Sequence, residues 1–406
     1  MPPKNVSVER SNQRNAVAAC FLGWTFDAFD FFVLAFVVAP IGKEFHHSVL
    51  EITFAMTASL FTRPIGAFVF GLLADRYGRR LPLIFDILFY SVIEVLSGLA
   101  PTYSMFIILR LLYGIGMGGE WGVGASLALE SVPGEWRGVV SGLLQEGYAF
   151  GYLLAAVAYG LVFPHFGWRA MFFVGALPAL LTVFLLLKVK ESEAWVAASS
   201  SHDGWTDYFG CILRNWKRFA YLVVLMALMN FISHGTQDLY PAFLQLQRGY
   251  KPGTTALITI ISMVGAIAGG LAVGLYSDRR GRRRAMIGSI ILAVVLIPAW
   301  IAAPSFSVIL LGAFLMQFMV QGAWGVIPAH INELSPDTLR GFFPGFAYQL
   351  GVLVASVSAP VEAFLGKRIS YGHAMGIFAA TVLALGAIVI AFGPEAHGVK
   401  FGRENG

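Results

Sequence analysis

Apolar stretches of about twenty residues alternate along the chain with short turns rich in Gly, Pro and charge. A helix needs about 20 largely apolar residues to cross the hydrocarbon of a bilayer. That length fits twelve times, at 16–40, 51–75, 81–100, 103–127, 138–163, 169–189, 218–245, 254–277, 284–303, 305–330, 340–363 and 370–392. Some turns are as short as Ala100-Pro101-Thr102 and Ala303-Pro304-Ser305. One long polar stretch, 190–217, separates the sixth span from the seventh. The pattern predicts an all-α polytopic membrane protein of two six-helix bundles, 16–189 and 218–392, joined by the linker 190–217 and flanked by tails 1–15 and 393–406.

Composition sharpens the exclusion of other classes. Of 406 residues, 57% are apolar and only 13% charged, against about 25% charged in soluble domains. A disordered chain, a nucleic-acid partner and an ordinary soluble enzyme are excluded. The first fifteen residues are polar and lack the apolar core of a leader, so they read as a cytoplasmic tail. With that end inside, twenty of the 28 Lys and Arg fall in cytoplasmic tails and loops, six in the opposite loops, and Arg63 and Arg110 within spans. The positive-inside rule then puts both termini in the cytoplasm of a multi-pass plasma membrane protein, with a bacterial inner membrane the expected location. Cys20 and Cys211 support neither a disulfide framework nor a metal site.

An internal repeat fixes the architecture further. Gly71-Leu-Leu-Ala-Asp75-Arg76-Tyr-Gly78-Arg79-Arg80 recurs as Gly274-Leu-Tyr-Ser-Asp278-Arg279-Arg-Gly281-Arg282-Arg283, an offset of 203. The same offset relates Gly119 to Gly322, Trp121 to Trp324, Gly122 to Gly325, Glu130 to Glu333 and Arg137 to Arg340. Two homologous bundles about a pseudo-two-fold axis along the membrane normal can rock around a central site. Asp75, Arg76, Arg79, Glu130 and Arg137, with Asp278, Arg279, Arg282, Glu333 and Arg340, are expected to form a conformational latch on the cytoplasmic side. Loops that merely obey the positive-inside rule would not need a fixed Asp and Gly.

Ionisable groups inside spans are costly and mark functional positions. The first half holds Asp27, Asp30, Arg63, Asp86, Glu94, Arg110, Glu120 and Glu146. Six acids face two arginines, so ion pairing cannot neutralise all of them, and Asp27, Asp30, Glu120 and Glu146 are candidates for carrying a proton. Asp27 and Asp30 share one helix face and read equally as a coupled proton site or as a folding network. Arg63 falls at mid-membrane, suited to grip a carboxylate bidentately; the competing reading is a salt bridge to Glu120 or Asp30. Asp86, near a helix end, reads as interfacial. In span seven, Asn230, Ser233, His234, Gln237 and Asp238 share a face about 140° wide, which reads as cavity lining. His234 and Asp238, four apart, can hydrogen-bond. Gln349, beside Tyr348 in span eleven, is either a cavity group or an interhelical hydrogen bond.

Twelve spans in two halves with this loop after spans two and eight resemble the major facilitator superfamily. The stripe from Asn230 to Asp238 is similar to the signature of the Jen-type lactate and pyruvate permeases, which belong with bacterial sialic-acid transporters in the sialate:proton symporter family. Trp24-Thr-Phe-Asp27-Ala-Phe-Asp30 and Gly116-Met-Gly-Gly-Glu120-Trp121-Gly122 resemble the same family. The resemblance implies carboxylate recognition by Arg63, His234, Asp238 and Gln349. Two positions depart from the family: Ala242 replaces the closing Thr of the signature, and Val352 replaces an Asn three residues after Gln349. The short linker leaves no room for the two extra spans of many sialic-acid transporters, which favours a small monocarboxylate.

The expected activity is therefore proton-coupled symport of a lactate- or pyruvate-like 2-hydroxy or 2-oxo acid by alternating access. Arg63, Asn230, His234, Gln237, Tyr348 and Gln349 would bind substrate, and Asp27, Asp30, Glu120, Glu146 or Asp238 would carry the proton. Sialic acid or another organic acid, a proton-coupled antiporter of a neutral or cationic solute, and a transporter-like sensor are the rivals. No enzyme activity, metal or cofactor beyond the coupling proton is expected. The expected partners are a small carboxylate and the lipid bilayer, with the chain acting as a monomer and no nucleic acid involved.

Overall fold

A computed structural model describes residues 6–199 and 205–402. The first bundle is α1 (Val6–Phe45), α2 (Val49–Tyr77), α3 (Arg80–Leu99), α4 (Tyr103–Glu130), α5 (Arg137–Leu161) and α6 (Phe163–Lys188). The linker folds into α7 (Glu193–Ser199) and α8 (Trp205–Arg214). The second bundle is α9 (Trp216–Gln237), α10 (Tyr240–Leu246), α11 (Pro252–Arg280), α12 (Arg282–Ile301), α13 (Phe306–Leu334), α14 (Phe343–Ala355), α15 (Ser358–Ile369) and α16 (Tyr371–Phe392). Among the described residues, nine helices are long and apolar enough to cross a membrane. Helices α5 and α6 and the α14–α15 pair occupy the positions of the remaining three expected spans.

Span eleven is broken where the sequence predicts one continuous helix, and span seven is broken near Pro241, the residue expected to weaken it. Pro241 lies in the first turn of α10 and Pro360 in the first turn of α15. A proline supplies no N–H to the helix ladder and its ring crowds the carbonyl four residues back, so the chain turns at 238–239 and 356–357.

The repeated loop has a backbone reason for its glycine. Gly78 and Gly281 take φ values of 98° and 94°, a region open to glycine and strained for residues with a Cβ. In each half the chain then enters the next helix directly, at Arg80 or Arg282. Acidic side chains from outside the loop complete this turn: Glu191 accepts from the N–H groups of Arg79 (2.9 Å) and Arg80 (3.1 Å), and Glu395 from that of Arg283 (2.9 Å). A carboxylate on exposed helix N–H groups also meets the positive end of the helix dipole.

Each bundle has its own apolar core, with Ile41, Tyr90, Phe106 and Phe172 buried in the first and Met226, Phe243, Trp300 and Phe343 in the second. The halves meet at the end carrying the repeated loops, where α5 packs on α11 and α13, and α2 and α4 pack on α14. Gly122 and Gly345 bring α4 and α14 into backbone contact, so that a Cβ on Gly122 would run into Gly345. Gly122→Leu should therefore prise this end apart. Cys211, buried here beside Thr338 at 3.5 Å, should react with a thiol reagent about tenfold faster, the effect of a 1.4 kcal/mol shift. Cys20, buried within the first bundle, serves as the internal control.

Candidate functional site

Rings from both bundles meet above the sealed end. Trp121 of α4 stacks on Tyr348 of α14 with centroids 4.3 Å apart and planes at 30°. Trp24 of α1 stands edge-on to both Trp121 and Tyr348, at 6.5 Å from each. Trp324 closes another side of Tyr348 at 6.1 Å, and Tyr148 stacks on Trp24 at 5.9 Å. The Trp24 indole N–H and the Gln349 Oε1 are buried here without hydrogen-bond partners. Gln349 Nε2 donates to the Gly118 carbonyl at 3.5 Å, across the two halves. The 203 offset marks Trp121 and Trp324, but nothing in the sequence brings them together with Trp24 and Tyr148, and the assembly of these rings is visible only in three dimensions.

Arg63 lies among these groups. It is 4% exposed, and its Nε and Nη2 have no hydrogen-bond partner. Its charge acts on Asp27, Glu120, Tyr148 and Tyr348, yet no ion pair to Arg63 is found among the described residues. The salt bridge to Glu120 or Asp30 that the sequence allows is not formed. Arg110 behaves otherwise: it pairs with Glu94 at 2.6 Å, bonds Ser97, and has its guanidinium over the Tyr113 ring at 4.5 Å. That arginine is a structural cation of the first bundle.

The carboxyls of the first half sit inside the bundle. Asp27, Asp30 and Glu120 are fully buried, and none of their oxygens has a partner. Asp30 is directed at Gly175 of α6 and Glu120 at Gly23 of α1. Asp86 corrects an expectation. It is not interfacial: the side chain is fully buried with both oxygens unpartnered, because the second turn of α3 already lies beneath neighbouring helices. Glu146 stands apart, against Gly270 of α11 at the junction of the halves.

The span-seven stripe is divided between tasks. His234 and Asp238 pair at 3.2 Å with side chains 40% and 39% exposed, as their spacing predicts, and the charge of Asp238 reaches Tyr148 of the other half. Asn230 is 3% exposed and donates to the Met226 carbonyl at 2.8 Å, so its amide serves its own helix. Gln237 donates to Gln317 at 2.8 Å, and Gln321 donates to Ser233 at 3.1 Å. A face 140° wide is too broad to line one cleft, and its Ser233–Gln237 edge packs on α13.

At the loop end the two aspartates bind across the halves. Asp75 accepts from the N–H groups of Gly341 (2.6 Å) and Phe342 (3.0 Å), just before α14. Asp278 accepts from Gly138 (2.7 Å) and Val139 (3.1 Å), in the first turn of α5. Each aspartate thus caps a helix of the opposite bundle and meets its positive dipole end. Arg79 holds Asp75 and also Glu130 at 3.2 Å, and Glu130 reaches Arg340 at 3.3 Å. The mirror set is Arg282 with Asp278 (2.7 Å) and Glu333 (2.9 Å), and Glu333 with Arg137 (3.7 Å). Arg279 is exposed, so Arg282 is the arginine that holds Asp278; Arg76 is half-buried at the matching helix end.

Segments outside the bundles add to this seal. Tyr208 of α8 donates to Asp75 at 2.6 Å, and Trp195 of α7 donates to its carbonyl at 2.7 Å. Burial and then the Asp75 carboxylate push the Tyr208 hydroxyl up, which keeps it a donor. From the C-terminal tail, the Phe401 ring lies against the guanidiniums of Arg137 (3.3 Å) and Arg340 (3.7 Å).

A family profile described as Major Facilitator Superfamily matches residues 20–272, and one described as Sugar (and other) transporter matches residues 222–398. The chain is 29% identical to the carboxylic acid transporter protein homolog of Saccharomyces cerevisiae over 86% of its own length. It spans 60% of that relative. It is 29% identical to the sialic acid transporter NanX of Escherichia coli, covering 95% of each chain. The fold matches the proton:xylose symporter XylE with a TM-score of 0.75 at 20% identity, over 97% of this chain and 98% of the other. Both relatives stand where the Asn230–Asp238 stripe points, among organic-acid carriers. The chain is a transporter, not an enzyme, and belongs to the major facilitator superfamily.

Proposed function

We propose that this chain imports a monocarboxylate together with a proton by alternating access, with the repeated loops on the cytoplasmic side. The observation that carries this reading is Arg63, a buried guanidinium with two unpartnered nitrogens beside rings contributed by both bundles. A buried ion lacking its partner costs about 3–5 kcal/mol, and a carboxylate presenting two oxygens to the guanidinium fork removes that cost. The aromatic walls would hold the body of the acid.

Coupling to a proton follows from charge. Moving one negative charge into a negative-inside cell costs about 2.3 kcal/mol per 100 mV, and one accompanying proton cancels it. Asp27, Asp30, Asp86 and Glu120, buried without donors, support proton carriage in the first bundle. Asp238 with His234, exposed at the end of α9, supports proton exchange there, at the mouth of the proposed cleft.

The substrate we propose is a short 2-hydroxy or 2-oxo acid such as lactate or pyruvate. Gln349 Oε1 is an acceptor suited to a hydroxyl, and the Trp24 N–H a donor suited to a keto oxygen. Gln349→Leu should weaken 2-hydroxy acids about tenfold and leave 2-oxo acids within about twofold, measured by competition binding. The Trp121–Tyr348 stack favours a second reading, a flat conjugated acid that slides against the rings. Calorimetry with lactate, pyruvate and planar unsaturated acids decides between them. Accumulation in proteoliposomes under an imposed inward proton gradient tests the mode of transport: carboxylate uptake without response to that gradient removes symport.

A further inference from the structure

The expected span eleven ends at residue 363, which places Glu362 at its edge. In the structure the helix resumes as α15 and runs on to Ile369, carrying Glu362 inside the fold. Its side chain is fully buried, and both carboxyl oxygens lack hydrogen-bond partners. The counterpart at the 203 offset is Tyr159, so this acid belongs to the second half alone.

Two helices pack on α15, namely α9 and α16. From α9, Gly235 leaves the space that the Glu362 carboxyl and the Phe378 ring occupy; a Cβ there would lie 3.4 Å from Oε1 and would overlap the ring. Asp238, one turn beyond Gly235 along the span-seven chain, is paired with His234 at 3.2 Å, and its charge reaches Glu362. From α16 the covering side chain is Phe378. Its titratable groups are in the first turn, where His373 bonds Ser370 at 2.9 Å and Tyr371 lies over Gly366. No cation stands against Glu362 among the described residues.

A structural carboxyl of this kind would need donors, and none is present among the described residues. Two carboxyls on adjoining spans, one sealed and one open to the mouth, instead suit the passage of a proton between them. We propose that Glu362 is a second proton-binding residue of the carrier, in its C-terminal half, which exchanges protons with the mouth of the cleft through Asp238 and His234. In the balanced step the protonated Asp238 carboxyl gives its proton to the Glu362 carboxylate, and the Asp238 carboxylate left behind is held by protonated His234. The breaks at 238–239 and 356–357 flank the packing of Glu362 on Gly235 and would allow its two sides to separate. The inference rests on the reading of the chain as a proton-coupled carrier.

Infrared difference spectra of the purified protein between acidic and neutral buffer test it without any substrate. Among the carboxylic-acid bands of the buried acids, one from Glu362 should be present, absent in Glu362→Gln and shifted in Glu362→Asp, while the others stay. In proteoliposomes, Glu362→Gln should keep carboxylate counterflow within about twofold while uptake driven by a proton gradient falls at least about tenfold. A Gln variant that keeps both the band and the driven uptake overturns the proposal. If the Gln variant does not fold, an unshifted band in the Asp variant does the same. A native chain that moves no carboxylate at any pH overturns the transport reading instead, and the infrared result still decides the proton site.

Discussion

Arg63→Lys should abolish high-affinity carboxylate binding, lowering affinity by about two orders of magnitude or more in calorimetry while the thermal transition of the unliganded protein holds or rises. The reasoning is geometric and electrostatic. The guanidinium is 4% exposed, and two of its nitrogens point at no protein group. Lysine keeps the charge but loses the planar fork that meets both oxygens of a carboxylate. Leaving a buried charged partner unmatched costs roughly 3–5 kcal/mol, and each 1.4 kcal/mol is a factor of ten. Retained stability matters as much as lost binding, because Arg63 forms no ion pair among the described residues. Unchanged affinity would remove it from the site.

Asp75→Asn and Asp278→Asn should give the next largest effect, on the rate of transport rather than on binding. Each carboxylate accepts two backbone N–H bonds from the opposite bundle and one arginine bond from its own. Charge-assisted bonds of this type contribute about 1.5–3 kcal/mol. An amide oxygen can replace one of them without the charge that meets the helix dipole. The balance between sealed and open loop ends should then move by about 2 kcal/mol, or about thirtyfold. Faster labelling of Cys211 and slower turnover would report this shift. Arg63 lies outside the contact, so carboxylate affinity should change little; a large affinity loss would contradict the separation of latch and site.

The parts of this molecule legible in the sequence are those fixed by position along a helix. Apolar length places the spans, and the 203 offset pairs Asp75 with Asp278 and Glu130 with Glu333. Spacing of four residues gives the His234–Asp238 contact, and position within its span puts Arg63 inside α2, where it is buried. What is not legible is azimuth, the side of each helix that meets a neighbour. Asp86 reads as interfacial because counting from the loop measures depth alone, whereas α3 turns it into the bundle. Asn230 fits a polar stripe, yet its amide folds back on Met226. Glu362 falls at the edge of an apolar window because the sequence does not reveal that α15 restarts the helix after a break. The Trp121–Tyr348 stack is invisible for a related reason, since its partners are 227 residues apart in the chain and aromatic residues are abundant throughout.

That stack joins one ring from each bundle, and this has a consequence for release. When the loop end parts, Tyr348 must travel with its own bundle while Arg63 stays with the other. On the proposed reading the compartment is not handed across intact; it is dismantled, and the acid would be left with a single ionic hold in front of entering water. A rigid planar acid broad enough to bridge the two rings would resist that dismantling and arrest the carrier mid-cycle, which makes this pair of rings a natural target for a conformation-selective inhibitor.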